Sequence, residues 1–167
     1  MRSLFSAAAV ALLATLAAPA MAHQYTLGAL EIEHPYTPEP APGAKTAAGY
    51  LSIANGGAEP DALIAVRSAV ASTTLHATEI GADGVARMTA LDAIEIAPGA
   101  TVTLAPQGMH VMFVGLTQPL KDGDRVPATL VFRKAGEIAV EFEVQPRQAG
   151  SAMPAGMDHM QHMAPSN

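Results

Sequence analysis

In the stretch EIAVEFEV, residues 137–144, Ile138, Val140, Phe142 and Val144 alternate with Glu and Ala. A period of two puts all four apolar side chains on one side of an extended chain, the pattern of a half-covered strand in an antiparallel sheet. Similar short runs recur along the chain, each closed by a turn signal. LSIAN (51–55) and DALIAV (61–66) flank a Gly-Gly pair, and TTLHATEI (73–80) and VARMTAL (85–91) flank Gly81-Ala82-Asp83-Gly84 in a hairpin-like arrangement. IEI (94–96) and TVTLA (101–105) flank Pro98-Gly99, and ATLVFRK (128–134) meets EIAVEFEV across Ala135-Gly136. No helical period stands out beyond the first 22 residues. Short strands with frequent turns predict an all-β domain, a sandwich or small barrel.

The two ends read differently. Arg2 precedes an apolar stretch from Leu4 to Ala18, and the segment closes on Ala20-Met21-Ala22. That is the pattern of a secretory signal peptide (1–22) cleaved after Ala22, too short for a membrane anchor. No later segment has the roughly 18 apolar residues of a membrane span. The expected body is residues 23–147. From Gln148 to Asn167 the chain has small residues, prolines, Met and His without periodicity, a composition that predicts a disordered tail.

Without Arg2 the chain holds eight basic against 15 acidic side chains, a charge of about −7. This argues against nucleic acid and anionic membranes as partners. Cysteine is absent, which excludes disulfides, thiol redox catalysis, a Cys nucleophile and every thiolate metal site. Packing alone must hold the body together.

With Met1 and Met21 in the signal segment, the body keeps only Met88, Met109 and Met112, and its histidines are His23, His34, His76 and His110. Singly, a strand methionine fills core gaps and a strand histidine is a satisfied polar group. His110 and Met112, however, stand two apart in MHVMFV, so both project from one face. The hairpin of TTLHATEI and VARMTAL brings His76 near Met88, and a neighbouring strand presents His110 and Met112 to the same place. Two imidazoles and two thioethers form a soft, uncharged donor set suited to Cu(I) rather than Zn, Mg or Ca. Blue-copper chemistry is closed without cysteine, and structural zinc favours Cys and His. His34, before Pro35, reads as structural.

The series His76, Met88, His110-x-Met112 resembles the signature of the PCu(A)C family of periplasmic copper chaperones. GLTQPLKDGDRVPATLVF (115–132) and HPYTPEPAPGAKTAAGYLSIAN (34–55) are similar to other segments of that family, and the resemblance covers about residues 25 to 145. Ala77 and Tyr36 depart from it, where many members carry Met and Trp. The resemblance implies a cupredoxin-like Greek-key β-sandwich or barrel. It implies Cu(I) held near the surface by His76, Met88, His110 and Met112, in a carrier rather than an enzyme. It also implies periplasmic delivery toward the Cu(A) centre of cytochrome c oxidase, alongside Sco-type proteins.

The tail residues Met153, Met157, His159, Met160, His162 and Met163 resemble Met/His-rich extensions of some family members. They suggest a second copper, Cu(II) through His159 and His162. His23, as a new N-terminus, offers an amine and an imidazole that could chelate Cu(II) in the manner of a histidine-brace oxygenase. The alternatives to delivery are copper sequestration for tolerance, that oxygenase chemistry, and a metal-free interaction module.

Overall fold

A computed structural model describes residues 24–147. The expected signal segment, His23 and the tail with its copper-binding candidates lie outside the described residues. Eleven strands follow one another: β1 (Gln24–Leu27), β2 (Leu30–Pro38), β3 (Thr46–Asn55), β4 (Asp61–Arg67), β5 (Ser72–Ile80) and β6 (Ala86–Leu91). They continue with β7 (Ile94–Ile96), β8 (Thr101–Leu104), β9 (Met109–Val114), β10 (Arg125–Phe132) and β11 (Gly136–Gln145). The described residues contain no helix, as the period-two patterning predicts.

The strands run β6-β5-β9-β3-β2-β11-β10-β4-β7, with β1 added to β2 and β8 to β3. Neighbours pair antiparallel except β2 and β11, which meet in parallel over Tyr36–Pro38 and Glu143–Gln145. The fold is an all-β, cupredoxin-like Greek-key sandwich. Two of the anticipated turn-linked pairs, β5–β6 and β10–β11, are hairpins. In the other two cases the strands on either side of the turn part company. β3 pairs with β2, β8 and β9 while β4 pairs with β10 and β7, and β7 pairs with β4 while β8 pairs with β3. A Gly-rich turn reverses the chain without deciding which strand it will meet.

Alternation supplies the core. Ile32, Ile53, Leu63, Ile96, Val111 and Phe142 are fully enclosed. Phe113 of β9 meets Phe142 of β11 edge to face, with ring centroids 5.4 Å apart and planes at 82°, a favoured aromatic geometry. Gly49 of β3 makes room for that pair: a Cβ there would stand 2.7 Å from the Phe113 ring and 2.8 Å from the Phe142 ring.

Strands β8 and β9 lie end to end along one edge of β3. Leu104 pairs with Leu51, but Val111 pairs with Gly49, so the residues between them loop out. The loop is tied by the Ala105 N–H to the Met109 carbonyl at 2.9 Å and the Gly108 N–H to the Ala105 carbonyl at 3.0 Å. Gln107 takes a left-handed φ of 65° at its tip. The excursion resets β9 so that it pairs with both β3 and β5.

Candidate metal centre

Register decides which side chains meet. Across β5 and β9, His76 pairs with His110 and Thr74 with Met112; across β5 and β6, Thr78 pairs with Met88. Leu75, Val111 and Phe113 point into the core, so by alternation His76, His110, Met112 and Met88 share the opposite, outer face. The two imidazoles are direct cross-strand neighbours, with ring centroids 5.8 Å apart and planes inclined 36°. Met88 and Met112 occupy diagonal positions on either side of His76, about 7–8 Å away at the backbone, a gap long side chains can span. The fold thus brings the four sequence-identified residues to one patch. Met109 instead points inward and packs against the core.

Exposure is graded across the patch. His110 is only 4% exposed, His76 and Met112 are half-buried, and Met88 on the edge strand is 44% exposed. A buried imidazole needs its nitrogens accounted for. The His110 Nδ1 lies 3.1 Å from the Gly108 carbonyl. A carbonyl only accepts, so Nδ1 carries the proton and Nε2 keeps a free lone pair, the arrangement in which a backbone acceptor fixes the tautomer of a metal ligand. The same carbonyl receives the Thr78 N–H at 3.0 Å, which pins the loop to β5. On His76, Nε2 lies 3.0 Å from the Thr74 hydroxyl. Its Nδ1 is buried and has no hydrogen-bond partner, the one such side-chain atom among the described residues. With the Thr74 hydroxyl donating to Nε2, the ring carries its proton on Nδ1; with the hydroxyl accepting, Nδ1 holds a free lone pair suited to a metal ion. Sequence reasoning missed the orienting partners Gly108 and Thr74. Thr74 was within reach, standing two residues before His76 on the same face; Gly108 acts through its backbone, which residue identity does not signal.

No group of three or more His, Cys, Asp or Glu side chains is placed to hold a metal ion among the described residues. The outward positions of β5, β6 and β9 hold no Asp, Glu or Cys, so the patch offers imidazole and thioether, the chemistry that favours Cu(I) over hard cations.

An aromatic row extends from the imidazole pair across the sheet. Tyr50 lies 6.5 Å from His110, Tyr36 lies 5.3 Å from Tyr50, and His34 lies 5.1 Å from Tyr36, centroid to centroid. Burial raises the Tyr36 phenol above its ordinary range. Tyr50 is raised by burial and then by its neighbour Tyr36, so both stay neutral. His34 sits exposed, with a left-handed φ of 50°, where the β2–β3 register slips between Glu33 and Tyr36. The Gln145 amide lies 3.3 Å from its ring.

Fold and patch are those of a cupredoxin-like domain similar to solved PCuAC domains. Residues 30–144 match the family described as "LpqE-like: Putative lipoprotein LpqE-like", and the chain belongs to that family. A relative named "Putative lipoprotein Lxx21020", from Leifsonia xyli subsp. xyli (strain CTCB07), is 32% identical over 106 residues, 63% of this chain. The match spans 64% of that relative's length. Among solved structures, the copper-bound PCuAC domain of PmoF2 is 35% identical with a TM-score of 0.63, covering 74% of this chain and 98% of that domain. The apo PCuAC domain of PmoF1 is 32% identical with a TM-score of 0.65, over 74% of this chain and 99% of that domain. The Cu(I) form of DR1885 from Deinococcus radiodurans is 27% identical with a TM-score of 0.56, over 78% and 86% respectively.

Proposed function

We propose that this chain is an exported copper chaperone that binds one Cu(I) through His76, Met88, His110 and Met112. The observation that carries this reading is the cross-strand imidazole pair, with one ring locked to present Nε2 and the other keeping a buried, unpartnered Nδ1. Thioethers stand on both diagonals. Solved relatives in copper-bound and Cu(I) forms support the choice of metal. Neutral ligands hold copper less tightly than thiolates would, which suits a carrier that must release its cargo. The domain's role is binding and transfer, not turnover. The acceptor is a periplasmic copper protein, the Cu(A) subunit of cytochrome c oxidase or a Sco-type partner in its assembly.

Cleavage after Ala22 would release the body into the periplasm. The relatives carry lipoprotein names. No described helix is long and apolar enough to cross a membrane. In the tail, His159 and His162 would offer imidazoles to Cu(II), and Met153, Met157, Met160 and Met163 would offer thioethers to Cu(I).

Anaerobic Cu(I) titration with a competing chelator tests the site. The mature protein should take one tightly held Cu(I), which His110→Ala and Met112→Leu should weaken, each by tenfold or more. Wild-type affinity in both variants would refute the assignment. EPR-monitored Cu(II) titration tests the tail separately: His159→Ala with His162→Ala should remove a Cu(II) signal that His110→Ala leaves in place.

A further inference from the structure

Copper binding through the imidazole pair uses only two rings of a longer row. His76 of β5, His110 of β9, Tyr50 of β3 and Tyr36 of β2 stand at one level across four neighbouring strands. His76 with His110 and Tyr36 with Tyr50 are direct cross-strand partners, and the pairing of Gly49 with Val111 sets Tyr50 opposite His110. Ring centroids along the row are 5.8, 6.5 and 5.3 Å apart. Both phenols are half-buried, yet neither hydroxyl is sealed from solvent, so water can take the phenol proton. The chain has three tyrosines and neither cysteine nor tryptophan, which leaves tyrosine as the side chain that yields a single electron most easily. The third, Tyr25, stands outside the row: it pairs with Ile32, and its hydroxyl accepts the Glu141 N–H at 3.0 Å.

We propose that Tyr36 and Tyr50 form an oxidative cross-link site, where hydrogen peroxide reacting at copper on the imidazole pair joins the two rings as a dityrosine. The inference rests on the copper assignment above. Each phenol gives up one electron and one proton, Tyr50 first because it adjoins His110, and Tyr36 next through Tyr50. The peroxide O–O bond breaks, and the two electrons and two protons turn it into two molecules of water. The two phenoxyl rings couple through a carbon–carbon bond ortho to each oxygen, and the displaced ring hydrogens return to the oxygens. With copper back in its starting oxidation state, two tyrosines and one peroxide give one dityrosine and two waters. The geometry suits this step. Cross-strand partners have Cβ atoms about 4.5–5.5 Å apart, and the ring planes are inclined 45°. The rings meet edge to edge by turning about their own side-chain bonds, without movement of either strand. The new bond ties β2 to β3 beside His110 and spares all four metal donors.

The test loads the mature protein anaerobically with one equivalent of Cu(I), counts the metal after desalting, and adds a small excess of hydrogen peroxide. Trypsin separates Tyr36 from Tyr50 at Lys45, so the link appears as two joined peptides lighter by two hydrogens, with blue dityrosine fluorescence. Fragment masses should place the link at Tyr36 and leave Tyr25 of the same peptide unmodified. Tyr36→Phe and Tyr50→Phe should each abolish the link with copper still bound, and His110→Ala should lose most of it. In metal-free protein, a photogenerated one-electron oxidant of the ruthenium tris-bipyridine type should form the same link, which separates ring geometry from the metal. Bound copper with oxidation confined to methionine sulfur overturns the inference and leaves the copper site standing. A link between chains rather than within one, equal yield in His110→Ala, or no link with the ruthenium oxidant also overturns it. Copper lost before peroxide is added overturns the copper assignment and this inference together.

Discussion

Strand β9 carries two chemistries on its two faces, and the contrast organises the molecule. Inward, Val111 and Phe113 have no exposed surface, and Phe113 packs edge to face against Phe142. Outward, His110 and Met112 stand where an isolated sheet face would carry ordinary polar residues. The inner face tolerates little change because its partners are fixed in volume and orientation. The outer face spends little stability on its donors, so its composition is free to follow ligand chemistry. Substitutions on the two faces should therefore fail in different ways.

The largest loss of stability belongs to the inner face. Phe113→Ala should destabilise the fold by about 3–5 kcal/mol through the cavity left against Phe142, read from urea unfolding. Gly49→Ala should cost about 1–3 kcal/mol by overpacking, because the atoms it meets are rings of buried phenylalanines with no room to yield. If Gly49→Ala unfolds at the wild-type denaturant concentration, the Phe113 and Phe142 rings can yield to a methyl group.

Asp61 sharpens the contrast from the polar side. Burial pushes its carboxyl up, but the N–H groups of Lys134, Ala62 and Ala135 and the Lys134 charge outweigh that, leaving it below the ordinary carboxylate range. A carboxylate depressed in the folded state contributes stability that is present above its unfolded value and is lost as pH falls through the folded one. Asp61→Ala should cost about 1–3 kcal/mol at neutral pH, and the gap to wild type should narrow in acid. A gap that stays constant down to the acid transition would deny Asp61 that role.

The smallest stability effect, with the largest functional one, belongs to the outer face. Met112→Leu conserves volume and should cost less than about 1.5 kcal/mol, yet it removes a soft ligand. Retention of Cu(I) should also fall with pH, because protons compete for imidazole but not for thioether. Dialysis of loaded protein across a pH series, comparing wild type with His76→Ala, measures this directly. Retention that does not change with pH would mean that the imidazoles do not bind the metal.

Much of the outer face was legible in the sequence because it depends on short-range rules. The i, i+2 relation of His110 and Met112 follows from strand geometry alone, and the Gly81–Gly84 turn makes β5 and β6 a hairpin. What no local pattern supplies is the pairing of β9 with β5 and the loop at residues 105–108 that resets its register. Long-range register is chosen by how inward side chains such as Leu75, Val111 and Phe113 fit together, a property of the assembled core. The Gly108 carbonyl that orients His110 is invisible for the same reason. The parting of β3 from β4 and of β7 from β8 shows the converse limit, since a turn signal fixes a reversal and not a partner.

X-ray absorption at the copper edge of the Cu(I)-loaded mature protein carrying His159→Ala and His162→Ala tests the central claim most directly. A site built from His76, Met88, His110 and Met112 predicts a mixed shell of nitrogen and sulfur, with sulfur diminished in Met112→Leu and nitrogen diminished in His110→Ala. A sulfur-free shell, or a shell identical in all three proteins, would contradict it.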